Sequence, residues 1–347
     1  MTLPSAHPRI QLVGLEAEKR RAAFARDVAL GLTAVPKRLS CCYFYDRLGS
    51  ALFEAICCLP EYYLTRAEEE ILRTHSDDIA SLFAAPTDLI ELGSGSAAKT
   101  RLLINAFLRR HQERFHLQQR YIAVDICRTV LEEASLELVH AYPTLSVLAI
   151  AGEYREALEH FRRTDFQSVP HHEESRRRLV LWLGSNIGNL ERDAAAHFLA
   201  ELRESLLPDD RLLLGIDLRK DRTVLEAAYD DPCGVTAAFN RNLLARINRE
   251  LAGHFDLRTF QHRAVYNEGI GRIEMYLVSD RAQAVAINHL RLAAPFAAGE
   301  PIHTENSYKY SPAEIDALAD DAGMRRERTW FDEERRFSVS LFLVESK

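Results

Sequence analysis

Between residues 87 and 216 the chain alternates short apolar runs with longer stretches in which apolar residues recur at helical spacing. The runs Thr87 to Leu92, Tyr121 to Val124, Leu145 to Ile150, Leu179 to Leu183 and Arg211 to Ile216 have the length of strands. The stretches Ala98 to Arg110, Arg128 to Ala141 and Arg192 to Leu206 read as helices between them, and Ala67 to Phe83 as a helix before the first. Strands separated by helices imply parallel pairing with right-handed crossovers. After Asp217 the rhythm breaks. Val235, Phe239, Leu243, Ile247 and Leu251 repeat every four residues on one long helix, and alternating segments follow near Ile273 to Val278 and Ala284 to Leu290. The tail predicts a helix, Pro312 to Ala322, and two strand-like runs, Arg328 to Phe331 and Phe337 to Val344, whose short connection suggests a hairpin that closes the first sheet. Arg163 to Arg178 has no periodicity and reads as a surface loop. No internal repeat is found.

A length of 347 residues suggests two cores, at about 150 residues per domain. With 47% hydrophobic and 27% charged residues the composition is globular, and a formal charge of -7 lacks the basic excess of a nucleic-acid binder. No run reaches the ~18 to 20 apolar residues of a membrane helix, and the start has no signal-peptide pattern, so a soluble, cytoplasmic protein is expected. Adjacent cysteines, Cys41-Cys42 and Cys57-Cys58, make a poor disulfide framework, and His262 and His303 have no second ligand at metal-site spacing. No metal is expected.

Asp88 to Ser96 leads a strand into Gly93-Ser94-Gly95 and then a helix carrying Lys99. Missing β-carbons let a ligand approach the backbone, and the helix N-terminus offers N–H groups to negative charge. Such a turn serves dinucleotides and S-adenosylmethionine alike, or is purely structural. At the end of the next strand, Asp125 suits the ribose hydroxyls of an adenosine, or caps the following helix. After the third strand, Glu153 and Tyr154 offer a carboxylate and an aromatic face to adenine, although Glu153 also reads as an exposed loop acid. Gly184 to Asn189 follows the fourth strand and adds amide groups at the same carboxyl edge. A reversed strand beyond the fifth tilts the choice toward methyltransferases, as a fold-level analogy.

Seven ordered blocks carry a resemblance: Tyr43 to Ser50, Leu59 to Arg66, Glu91 to Thr100, Gly184 to Leu190, Tyr229 to Asn242, Arg272 to Met275 and Thr304 to Lys309. Over Gly31 to Leu343 the chain resembles the histidine N-alpha-methyltransferases of ergothioneine biosynthesis. The resemblance implies a Rossmann-like core, α/β in class, with a mainly parallel seven-stranded sheet containing one antiparallel strand, at 67–219 and 310–347. A discontinuous α+β substrate domain would take 1–66 and 220–309. It implies trimethylation of the α-amino group of L-histidine to hercynine, with S-adenosylmethionine as cosubstrate and a monomeric enzyme. Tyr62, Asn189 and Tyr229 would hold the substrate's amino-acid end, Glu305 and Ser307 its imidazole, and Met275 would wall the pocket. Tyr45 would lie near the amine and, with Asn189, form the catalytic pair. Gly93, Ser94, Gly95, Lys99, Asp125, Glu153 and Tyr154 would bind the cofactor. The chain departs from the family pattern at Glu153, Asn306, Tyr308 and Tyr310; Asn306 and Tyr308 would bear on side-chain specificity.

Singly, each position also has a bland reading: Tyr62 and Tyr229 as core aromatics, Met275 as an ordinary strand residue, Asn189 as a turn cap, Glu305 as a surface acid. An N-methyltransferase for another amino acid or an aromatic amine, a nucleotide-binding regulatory module and an NAD-linked oxidoreductase are the competing readings.

Overall fold

The computed structural model describes residues 2–3, 7–14, 17–114, 118–163 and 176–344. The chain divides into two compact units, one of Met1–Leu15, Leu64–Leu218 and Tyr310–Lys347, the other of Glu16–Tyr63 and Arg219–Lys309.

The first unit is built on nine strands, in the order Thr2–Leu3, Ile10–Gly14, Leu145–Ala151, Gln119–Asp125, Thr87–Leu92, Arg177–Trp182, Arg211–Asp217, Phe337–Val344 and Met324–Phe331. From Ile10–Gly14 to Arg211–Asp217 all pairings are parallel. Phe337–Val344 runs antiparallel to both neighbours, so the terminal hairpin sits where the sequence places it. The apolar runs are buried because helices cover parallel sheets: Leu89, Leu92, Leu179, Leu181, Leu212 and Leu214 are completely buried, each contributing ~1.5–3 kcal/mol. Two acids inside the central strand are compensated. Asp88 pairs with Arg120 and Arg176, while Glu91 accepts hydrogen bonds from Thr100 Oγ1 and Tyr121 Oη.

The sheet has two more strands than expected, and both lie in 1–66, which the sequence reading gives to the other domain. Ile10–Gly14 pairs in register with Val147 to Ala151. The Arg9 guanidinium then donates to the carbonyls of Val139 and Tyr142, at the end of the helix Arg128–Ala141, and of Leu145, at the start of the next strand. That helix and Pro312–Asp321 match their expected spans closely, the latter with a Ser311–Glu314 capping box. Tyr154–Arg163 is a helix the rhythm does not announce. Most of the stretch read as a loop, 163–178, lies outside the described residues; its last residues, Arg177 and Arg178, open a strand.

The second unit has a four-stranded sheet, in the order Lys37–Arg38, Pro301–Tyr308, Arg272–Ser279 and Phe260–Asn267, and a separate hairpin of Gln283–Ile287 with Leu292–Phe296. The long helix Val235–Leu251 packs on this sheet and on the helix Arg47–Cys57. Several motif residues act here as joints. Asp46 caps the helix Arg47–Cys57 through Gly49 N–H (2.7 Å) and accepts from Asn242 Nδ2 (2.8 Å), while Asp231 receives the N–H groups of Val235 and Thr236. Gly49 lets the helix approach Phe44, whose carbonyl oxygen would lie 1.7 Å from a β-carbon.

Among the described residues no helix is long and apolar enough to cross a membrane, and no group of three or more His, Cys, Asp or Glu could hold a metal ion.

Candidate active site

In the first unit, the carboxyl end of the central strand leads into Gly93, whose N–H donates to Val124 O at 2.8 Å, and Ser94, whose N–H reaches the same oxygen at 3.1 Å. Gly93 takes φ +77°, and a β-carbon there would lie 2.6 Å from Tyr154 Oη and 2.9 Å from Asn186 Nδ2. Two later segments therefore converge on this glycine. Gly95 also has a positive φ, +49°, but nothing lies within 4 Å of its β-carbon position, so the turn is open on that side. An open, β-carbon-free edge at the carboxyl end of a parallel sheet suits close approach by a ligand.

Asp125 joins this turn to the next helix. Its Oδ2 accepts Gly95 N–H at 2.9 Å and its Oδ1 accepts Cys127 N–H at 2.8 Å. Burial raises its pKa above the usual carboxylate value, with the backbone donors of Cys127 and Gly95 opposing the shift. A carboxylate has about four lone-pair sites, so these backbone donors leave acceptor capacity for a hydroxyl as well. The capping and ligand readings of Asp125 are thus compatible.

Glu153 is exposed, and its N–H donates to Glu156 Oε2 at 2.9 Å at the start of the helix Tyr154–Arg163. The Tyr154 ring lies edge-on to Trp182, at 5.7 Å between centroids. Lys99 pairs with Glu68, a residue the sequence reading passed over. Asn189 closes a short turn, Asn186–Asn189, entered through left-handed Gly184 and Ser185. It belongs to the first unit, whereas the other expected substrate residues belong to the second.

In the second unit, Glu305 and Ser307 face Met275 and Ile273 across the ladder between Pro301–Tyr308 and Arg272–Ser279. Strand alternation puts Asn306 and Tyr308 on the other face, where Asn306 Oδ1 meets His303 Nε2 at 2.8 Å and Tyr308 Oη accepts from Arg272 Nη1 at 2.6 Å. The expectation that these two bear on side-chain specificity is therefore corrected: they point away from Glu305. A bulge beside Thr304, whose Oγ1 donates to Met275 O at 3.1 Å, resets the register so that His303 shares the outer face.

On the inner face Ser307 Oγ lies 2.8 Å from Tyr229 Oη, and completely buried Lys309 donates to both, at 3.0 and 2.8 Å. Tyr229 ends the helix Arg222–Tyr229, where His262 Nε2 donates to its carbonyl at 2.8 Å. His262 Nδ1 accepts from Asn240 Nδ2, a neutral tautomer that agrees with burial lowering the pKa of His262. This histidine is a joint. Tyr62 lies edge-on to Tyr229 and Phe53, at 6.1 Å from each ring, and Tyr45 packs on Phe53 and Phe239. Burial raises the Tyr62 phenol well above its usual pKa, so it stays protonated.

Glu305 stands apart from its neighbours. Only 9% exposed, its carboxylate makes no hydrogen bond or ion pair among the described residues. Burial raises its pKa to about 7, with the Lys309 charge pulling the other way. Burial chiefly, and the Glu305 charge after it, raise the thiol pKa of Cys41, a neighbour that sequence spacing did not single out for the site. A buried acid without a protein donor is costly unless a ligand supplies one.

A family model described as histidine-specific methyltransferase, SAM-dependent, matches residues 24–344. The chain is 45% identical over 327 residues to a histidine N-alpha-methyltransferase of Mycolicibacterium smegmatis, covering 94% of this chain and 97% of that one. It is 44% identical to one of Mycobacterium tuberculosis, covering 92% and 94%. Ergothioneine biosynthesis protein 1 of Schizosaccharomyces pombe is 34% identical over 67% of this chain and 30% of its own length.

Proposed function

The chain belongs to the histidine-specific, S-adenosylmethionine-dependent methyltransferases, and from that membership we propose how its own residues serve the reaction. It is an S-adenosylmethionine-dependent methyltransferase that acts on the α-amino group of L-histidine, in ergothioneine biosynthesis. Three successive transfers, giving hercynine, complete the reading.

S-adenosylmethionine, when bound, supplies a methyl group made electrophilic by the sulfonium it leaves. The open turn at Gly95 and the free lone pairs of Asp125 fit its adenosine, and Lys99 fits its carboxylate. Gly93, Ser94, Glu153 and Tyr154 complete the proposed cofactor set.

In-line attack needs a neutral nitrogen with its lone pair aimed at the methyl carbon. A free α-amino group has a pKa near 8, so modest desolvation suffices and no strong base is required. Tyr62, held protonated by burial, serves as a neutral hydrogen-bonding partner of the amino-acid end, together with Tyr229. Tyr45 is proposed to take the released proton toward solvent.

After two transfers the neutral amine has no N–H left to donate, so recognition has to sit elsewhere on the substrate. Glu305 is the observation that carries the assignment: an imidazole N–H would supply the donor its buried carboxylate lacks. Ser307, held by Tyr229 and Lys309, takes the other ring nitrogen, and Met275, nearly fully buried opposite Glu305, packs on the ring.

The test is incubation with S-adenosylmethionine and a panel of amino acids, read by mass spectrometry. Histidine should gain three methyl groups; an apolar or indole amino acid methylated in preference to it would overturn the assignment. A monomeric, cytoplasmic enzyme belongs to the same proposal.

A further inference from the structure

Glu68 lies in the second turn of the helix Tyr63–Ser81 and is completely buried. An ionised carboxylate out of reach of water persists when donors occupy its oxygens. Here Gly184 N–H reaches both oxygens, at 2.8 and 2.9 Å, and the Lys99 ammonium pairs with Oε2. Among the described residues these are its hydrogen-bond partners.

The sheet makes room for this acid. Leu212, Leu213, Leu214 and Ile216 are completely buried, yet the residue between them is Gly215, and a β-carbon there would lie 1.9 Å from Glu68 Oε1. Glycine in a strand interior weakens the strand and often marks close approach by another group. The group that approaches is the carboxylate.

Glu68 holds two parts of the cofactor side at once. Gly184, at φ +73°, starts the turn that carries Asn186 to the glycine turn, and the Lys99 ammonium lies 3.8 Å from the β-carbon position of Gly184. S-adenosylmethionine has one anionic group, the carboxylate of its amino-acid end; its ammonium and sulfonium would both repel a lysine. An ammonium tethered by one N–H to a fixed acid presents its other N–H groups in set directions.

We propose that Glu68 is a positioning residue: it aims Lys99 at the cofactor's carboxylate and fixes the Gly184 turn beside it, while offsetting the lysine's charge near the sulfonium. The inference rests on the reading of Lys99 as a cofactor contact.

The test is calorimetric titration of S-adenosylhomocysteine into Glu68→Gln, Gly215→Ala and Lys99→Met, with steady-state kinetics. Glu68→Gln keeps an acceptor for Gly184 N–H but loses the charge, so affinity should fall about tenfold and KM for S-adenosylmethionine rise in proportion. KM for histidine and kcat at saturation should hold. Gly215→Ala should give the same signature with Glu68 still present, by pushing its carboxylate aside. Normal affinity in Glu68→Gln beside a weak Lys99→Met overturns this inference alone, whereas normal affinity in Lys99→Met overturns the reading of Lys99. Losses spread evenly over both KM values, kcat and Tm would mark Glu68 as merely structural and would also overturn it.

Discussion

Replacing Glu305 by Gln separates what the carboxylate does for the ligand from what it costs the fold. In the folded protein its pKa is raised from 4.5 to about 7 by burial. An acid whose folded pKa is raised favours folding in its protonated form, and that contribution is lost as pH climbs from the unfolded value through the folded one. Between 4.5 and about 7, at about 1.4 kcal/mol per pH unit, the ionised side chain costs the ligand-free protein roughly 3 kcal/mol above neutral pH. Gln has the same shape and no charge. Glu305→Gln should therefore be more stable than the parent at pH 8, with the gap closing as pH falls toward 4.5. The same substitution weakens the charge-assisted bond to the imidazole, so kcat/KM for histidine should drop roughly 10- to 100-fold. Thermal denaturation from pH 5 to pH 8.5 and initial rates read by mass spectrometry measure both effects. A variant less stable than the parent at pH 8, a gap independent of pH, or unchanged histidine kinetics would refute the reasoning.

Asp125→Ala should weaken S-adenosylhomocysteine binding about tenfold in titration calorimetry, the loss of about 1.4 kcal/mol of hydrogen bonding; full affinity would place the ribose elsewhere. Asn306→Ala and Tyr308→Phe lie on the outer face of their strand, so the ratio of kcat/KM for histidine over other amino acids should stay within about twofold of the parent in competition assays. Gly49→Ala forces a β-carbon against a backbone carbonyl and should cost about 1–3 kcal/mol in urea denaturation, a loss that an apolar-to-alanine change on the exposed side of the same helix should not show.

The parallel sheet was legible because its strands are buried on both faces and therefore read as apolar runs with helices between them. Ile10–Gly14 and Tyr154–Arg163 escaped for opposite reasons. Ile10–Gly14 has only two buried positions, too few for a pattern. Tyr154–Arg163 is half Arg and Glu, yet Ala157 and Leu158 are buried and Tyr154 and Phe161 fall at the same helical spacing, a signal the charged residues outweighed. The strand Pro301–Tyr308 hid because its buried positions include Thr304, Glu305 and Ser307. Polar side chains face inward there, so the apolar alternation that announces strands is missing at the very residues proposed to meet the substrate. Position in ordered motifs, rather than periodicity, singled out Glu305. Glu68 and Lys309 both stand inside or beside those motifs, but their significance lies in partners distant in sequence, Gly184 for one and Tyr229 for the other. Gly215, alone among buried leucines, was the local hint that something approaches the strand.

The most direct measurement is a crystal structure of the protein with L-histidine and S-adenosylhomocysteine bound. The account predicts one imidazole nitrogen about 3 Å from a Glu305 oxygen and the other in reach of Ser307 Oγ. A complex in which histidine is bound and the Glu305 carboxylate still lacks a donor would contradict it.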